Sequence, residues 1–497
     1  MISRHLQLSK LLLIASSLIL MISQAGMAQY KRASFMYSMD EEARLGERII
    51  SKDLNGDRKR DFLIGAPGAD VGAAKSAGKI YLRYSPLEQD TVLLDETNLI
   101  VQGDDVNINV GQRFEIGDYN GDGNIDLAIS DQDFFTDGRG VVRIFYGPFQ
   151  PGQPRVFSEA DISIASTHPE ANFGISISTI PDWNGDGNDE LLVGANESDF
   201  SVEWGGSAYL FNNLASSSDL TDQDRDVLFT GTDANGRLGI STTSFEDING
   251  DGNVDIVIGA HRNNVKNDLA GAIFVFHGPF SESVYEDTDA DVTIYGRAEL
   301  TLWGFSLFNV GDINRDGLQD MAIASVHENK VAYFQGRENW ANEITIGNPA
   351  DSDGADHTLF NRFSRNDRSG FDVDFRGDYN LDQKVDPLIG APSTVNGYQR
   401  GAVAAYSVSG VPITNVGYGR SLEAGFGTQV EWVGDAITAP ADIINFNNQE
   451  IILKIDDVLI SAPNEQMEFG NKTINSGIVY VFTGEIKRPS AGVGLNP

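Results

Sequence analysis

The sequence predicts an all-β fold, a seven-bladed β-propeller of four-stranded antiparallel blades. Three observations carry the prediction. An acidic nine-residue loop recurs at a fixed phase, short runs of Val, Ile, Phe and Tyr alternate with Gly, Asp and Asn turns, and a strand missing from the last repeat stands at the other end of the chain. A period of this length that persists along the chain is the signature of a repeat architecture.

The loop is clearest at Asp118-Tyr119-Asn120-Gly121-Asp122-Gly123-Asn124-Ile125-Asp126, followed at once by the apolar run Leu127-Ala128-Ile129. Oxygen side chains at positions 1, 3, 5 and 9, with a backbone carbonyl at position 7, are what a calcium ion asks of a protein. Glycines at positions 4 and 6 permit positive φ. The loop starts at Asp53, Asp118, Asp182, Asp247, Asp312 and Asp378, with spacings of 65, 64, 65, 65 and 66 residues. The expected ligands are therefore Asp53, Asn55, Asp57 and Asp61; Asp118, Asn120, Asp122 and Asp126; Asp182, Asn184, Asp186 and Glu190; Asp247, Asn249, Asp251 and Asp255; Asp312, Asn314, Asp316 and Asp320; and Asp378, Asn380, Asp382 and Asp386. About six structural calcium ions are expected. The loops from Asp53 and Asp378 carry Arg58 and Gln383 at position 6 and are expected to bind more weakly. An EF-hand is excluded, because its position 12 needs a bidentate Glu and here holds Ile129.

Residues 1–28 read as a secretory signal: Arg4 and Lys10, an apolar core from Leu11 to Ile22, then the small residues Gly26 and Ala28. The apolar core is too short to span a bilayer and ends in a cleavable pattern. Residues 29–486 are expected to form the propeller and 487–497 a tail. The sequence holds no cysteine, so disulfides are excluded.

Each unit repeats one grammar. A strand ending near Gly103, Ser166, Gly231 or Gly296 is followed eight residues later by Gly111, Gly174, Gly239 or Gly304, which opens the next strand. The acidic loop comes next. A buried strand then closes at Gly65, Ser130, Gly194, Gly259, Ala324, Gly390 or, after a longer interval of 71 residues and a loop without the acidic pattern, Ser461. Third strands follow, from GKIYLRY at 78 to GIVYVF at 477. Alternating β-branched and aromatic residues between turn residues make antiparallel strands. The last unit lacks a convincing fourth strand, and the N-terminal strand at about 33–38 stands eight residues before Gly46, the offset found in the other units. The N-terminus is therefore expected to complete the last blade and close the ring, which hides most sheet edges.

The Phe-Gly or Leu-Gly opening, the D-x-N-x-D-G-x-x-D loop and the Gly-Ala-Pro endings at Gly65-Ala66-Pro67 and Gly390-Ala391-Pro392 resemble the FG-GAP repeat. The chain is similar to the seven-bladed propeller of integrin α subunits and to secreted bacterial FG-GAP proteins. The resemblance implies the propeller and its calcium loops. An integrin-type receptor is not expected, since six loops look competent here and integrin propellers carry calcium in only some blades.

Composition narrows the partner. Net charge is −36, and −38 without Arg4 and Lys10. Nucleic acid and anionic membranes need clustered Lys and Arg, so neither is expected. The histidines His168, His261, His277, His327 and His357 fit no zinc spacing, and no nucleophile elbow or phosphate-binding loop is present, so no enzyme is expected. Recognition is expected on the face opposite the acidic hairpins, where loops carry Phe134, Phe135, Phe200, Trp204, Tyr398 and Phe469. A long connection from Gly347 to Gly370 adds a basic, aromatic patch with His357, Phe360, Arg362, Phe363 and Arg365. The tripeptide Arg376-Gly377-Asp378 is discounted as a recognition motif, because Asp378 opens a calcium loop. The expected function is a secreted, calcium-binding, non-catalytic binding or adhesion module for extracellular protein or glycan. The alternatives are a lectin-like carbohydrate binder or a polysaccharide-active enzyme on the same scaffold.

Overall fold

The second strand of each unit shows why the chain forms radial sheets. Asp61–Ala66, Asp126–Asp131, Glu190–Ala195, Asp255–Ala260 and Asp320–Ser325 are buried at every position. A strand apolar on both sides must be covered on both faces, and in a ring the two neighbouring blades do so. The computed structural model describes residues 29–87, 91–131, 138–215, 219–325, 327–346, 357–360, 370–377, 384–392, 402–406, 412–418, 428–434, 442–446, 449–453, 457–469 and 472–485.

Seven sheets follow one another along the chain. Their inner strands are Ile49–Lys52, Arg113–Gly117, Phe173–Ile180, Leu238–Phe245, Ser306–Gly311, Val373–Asp374 and Val430–Gly434. In the second blade, Arg113–Gly117 pairs with Asp126–Asp131, that strand with Val141–Phe145, and that one with Ile162–Ala165, all antiparallel. Acidic loops join first to second strands. The second-to-third connections and the crossings between blades therefore share the opposite face.

The ring closes as the sequence predicts. Gln29–Tyr37 pairs antiparallel with Ile478–Glu485, with Phe35 opposite Tyr480, Met36 opposite Val479 and Tyr37 opposite Ile478. Met36 is fully buried in a cluster with Leu459 and Val479, so both chain ends share one core.

Two features differ from the expected four-stranded blades. Five sheets gain a short fifth strand: Thr91–Leu93, Arg155–Val156, Asp219–Thr221, Val284–Glu286 and Glu343–Thr345 each pair in parallel with the outer strand of the preceding blade. An outer strand is an exposed edge, and covering it removes a site for non-native pairing. Segments of two or three residues are too short to show alternation in sequence. The stretch from Gly347 to Gly370 also is not loop throughout, because His357–Phe360 forms the outer strand of the fifth blade, with His357 opposite Tyr333 and Phe360 opposite Lys330. In the seventh blade, where the acidic pattern is lost, a hairpin of Asp442–Phe446 and Gln449–Leu453 stands between the first two strands.

The recurring glycines are explained at the blade junctions. A Cβ on Gly65, Gly194 or Gly259 would lie 1.9, 2.1 or 2.1 Å from the carbonyl oxygen of Gly111, Gly239 or Gly304, the residue opening the next inner strand. Only a bare backbone allows that approach. At the equivalent Ser130 the hydroxyl instead donates to the Gly174 carbonyl at 2.8 Å. The residue before each opening glycine is a core plug: Phe173, Leu238 and Trp303 are all buried, and Phe173 meets Tyr209 edge to face at 5.6 Å.

Crossings between blades are clamped to the preceding second-to-third loop. Asn235, Arg237 and Leu238 donate backbone N–H bonds to the carbonyls of Glu203, Trp204 and Gly205, and Leu300, Leu302 and Trp303 do the same to Asp268, Leu269 and Ala270. The clamp forces positive φ at Asn235 and Arg237 and at Leu300 and Leu302. This face is a rigid plate of paired backbone rather than a set of free loops.

Candidate metal loops and binding face

Four of the five described acidic loops share one set of bonds, and in the fourth blade Asp247 Oδ1 accepts the Gly250 N–H in place of the Asp251 N–H. In the second blade, the Asp122 N–H donates to Asp118 Oδ1 and Asn120 Oδ1, both at 3.0 Å, and the Gly123 N–H donates to Asp118 Oδ2 at 2.8 Å. Asp186, with Gly187, repeats the arrangement on Asp182 and Asn184, as does Asp316, with Gly317, on Asp312 and Asn314. These bonds hold the oxygens of positions 1 and 3 toward position 5. Positions 4 and 6 have positive φ in every described loop, including Arg315 at position 4 and Arg58 at position 6. Arg58 therefore keeps the loop shape that glycine gives elsewhere, at a backbone cost glycine avoids.

The ninth residue does more than its sequence position suggests. Asp126 accepts the Tyr119 N–H at 2.9 Å and the Gly147 N–H at 2.8 Å, so it pins the loop to the end of the third strand. Asp61, Asp255 and Asp320 accept the equivalent pairs from Leu54 and Ser85, Ile248 and Gly278, and Ile313 and Gly336. All are fully buried, as is Glu190. In the third blade, oxygens of Asp182, Asp186 and Glu190 lie within 4.8 Å of one another.

Crowding of buried acids is costly. Burial, and then repulsion from Asp122 and Asp118, pushes the Asp126 carboxyl up to about 6. Burial with Asp316 and Asp312 takes Asp320 to about 6, and with Asp251 and Asp247 takes Asp255 to about 7. Burial with neighbouring acids takes Glu190 to about 8. In the third blade, the one place among the described residues where three carboxylates converge, oxygen-only donors and raised proton affinity fit a hard divalent cation, which would relieve the repulsion. A pH dependence follows. The folded values exceed the unfolded ones, so without metal the native state binds more protons and stability falls as pH rises from about 5 through 8. Melting of chelated protein at pH 5.5, 7 and 8.5 should show a falling midpoint that calcium flattens. A chelated midpoint that climbs over this range would contradict the reading.

The sixth loop has Asp378, Asn380 and Asp382 outside the described residues. Its ninth residue, Asp386, is buried, and its N–H donates to the Gly377 carbonyl at 2.7 Å. Arg376 binds Asp374 through two nitrogens, so it is engaged within the inner strand.

Of the residues expected on the opposite face, Phe134, Phe135, Tyr398, Arg362, Phe363 and Arg365 also lie outside the described residues. Phe200 and Trp204 are exposed, at 42% and 36%. The Arg225 guanidinium lies 5.3 Å from the Phe200 ring and that of Arg237 lies 5.4 Å from the Trp204 ring. Arg237 also pairs with Glu197. Sequence reading missed Met39, Val106, Val265 and Leu300, which are exposed on the same face. Their signal was faint, since single aliphatic residues in loops are common. His168 Nδ1 and the Ser166 hydroxyl both bind Asp222, tying one blade to the next.

A closed ring of seven blades with acidic first hairpins and glycine-lined junctions is the FG-GAP class of β-propeller. The FG-GAP repeat family model matches residues 51–82, and the chain is an FG-GAP repeat protein that resembles integrin α subunits. Integrin alpha-8 of Mus musculus is 30% identical over 171 residues, 33% of this chain and 15% of that protein. Phosphatidylinositol-glycan-specific phospholipase D of Homo sapiens is 30% identical over 162 residues, 31% of this chain and 19% of that protein. The Rattus norvegicus enzyme is 24% identical over 311 residues, 57% and 35%. The chain thus spans about a third or less of the length of these relatives. No helix among the described residues is long and apolar enough to cross a membrane.

Proposed function

We propose that this chain is an exported, calcium-stabilised propeller that acts as a non-catalytic binding or adhesion module for an extracellular protein or glycan. Residues 1–28 serve as its secretory signal, and the acidic loops, including that from Asp378, hold the calcium. The observation that carries the binding role is segregation. Of eight exposed large hydrophobic residues among the described ones, six (Met39, Val106, Phe200, Trp204, Val265 and Leu300) lie on the face opposite the acidic hairpins. Exposed apolar groups gathered on one rigid face mark interaction sites, and aromatic residues beside arginines are typical of binding hot spots. The integrin-like relatives support the reading.

The test is binding of the mature chain to an array of glycans and extracellular proteins in millimolar calcium, beside a Phe200→Ala, Trp204→Ala double variant. Both side chains are exposed, so the variant should melt near the parent. Truncating hot spots costs about 2 kcal/mol or more, roughly 30-fold in affinity. A hit weakened to that degree supports the proposal. Turnover of a glycan, or a hit indifferent to both residues, sinks it in this form.

A further inference from the structure

The inner strands enclose an axial cavity of about 680 Å³. Its wall is not uniform. Two residues after each opening glycine, the first two blades place Arg48 and Arg113, the next three Ser176, Ser241 and Ser306, and the sixth Asp372. The hydroxyls are largely spoken for: Ser176 donates to the Gly239 carbonyl at 2.9 Å and Ser241 to that of Gly304 at 2.8 Å. Arg48 is engaged as well, through Glu115 at 2.8 Å and the Phe114 carbonyl.

Arg113 is the exception. Its Nε is buried without a partner, and no hydrogen bond or ion pair reaches the guanidinium from the described residues. Burial, and then the Arg48 charge beside it, disfavours its protonated form. The side chain is half-buried, with its Nε out of water; a polar group withdrawn from water without a partner costs stability, and a second cation alongside raises the cost. The Glu47 carboxylate on the same wall offsets this only in part and makes no hydrogen bond to the guanidinium among the described residues.

We propose that the axial cavity binds a small oxyanion-bearing solute at Arg113, with the Arg48–Glu115 pair holding one side of the site. The guanidinium offers a planar fork that matches carboxylate, sulfate or phosphate oxygens. The cavity volume is in the range that takes a small ligand. This site is separate from the acidic loops and from the aromatic patch around Trp204, so it stands whether or not that patch binds a partner.

The experiment is calorimetric titration of the calcium-loaded chain with sulfate, methyl phosphate and sodium glucuronate at fixed ionic strength, in the parent, Arg113→Gln and Arg113→Lys. Saturable binding of at least one anion is expected, weakened tenfold or more in Arg113→Gln and partly retained in Arg113→Lys. The anion preferred tells a carboxylated sugar from a sulfo or phospho group. Melting curves confirm that the variants fold; if Arg113→Gln does not, the Lys variant carries the comparison, because it keeps the charge and loses the fork. No binding of any of the three anions, or equal binding in the folded variants, overturns the proposal.

Discussion

Gly259→Val is expected to disrupt the junction between the fourth and fifth blades, at a cost of about 3 kcal/mol or more. The added Cβ would fall 2.1 Å from the Gly304 carbonyl oxygen and 2.4 Å from Ser241 Oγ. The serine can rotate away, but the Gly304 carbonyl is backbone and cannot. The fifth blade would have to move out, and a closed ring passes that displacement to its other members. Gly259→Ser should be milder, because Ser130 shows that a hydroxyl can bond the facing carbonyl when the junction opens slightly. Urea midpoints of parent, Ser and Val variants check the order. A Val variant as stable as the parent would mean that the junction is not close-packed as described.

Removing calcium is expected to have the second large effect. Extracellular calcium sites have dissociation constants of about 0.1 to 1 mM. At millimolar calcium each then contributes on the order of 1 kcal/mol. Six together approach the roughly 5–15 kcal/mol that separates a folded domain from its unfolded chain. The chain has no disulfide to compensate. A marked fall of the melting temperature in chelator is therefore expected, restored by added calcium. Asp247→Asn with Asp251→Asn should reproduce part of the fall in the fourth blade alone. A melt unchanged by chelator would show that the loops fold on their hydrogen bonds without the ion.

How much of this was legible in sequence depended on whether a residue acts within its own repeat or between repeats. The acidic loop repeats its own donors, so its glycines and its ninth carboxylate stood out at a fixed spacing. Ring closure was legible because Ser34–Ser38 keeps its offset from Gly46. The parallel fifth strands were not, because Arg155–Val156 owes its conformation to the outer strand of another blade. The strand His357–Phe360 sits within a stretch of polar and charged residues, and only the pairing with Lys330–Phe334 makes it part of a sheet. The exposed residues Met39, Val106, Val265 and Leu300 belong to four different connections, so the face they share exists only once the ring is closed. The same holds for Arg113, whose lack of a partner depends on what the other inner strands bring to the axis.

The most direct measurement is a count of calcium ions bound by the mature chain, by calorimetric titration after removal of metal. About six per chain are expected, one for each acidic loop that keeps its pattern, accompanied by proton release near pH 7 from acids such as Glu190 and Asp255. Binding of one ion or none, with the fold intact, would contradict the account.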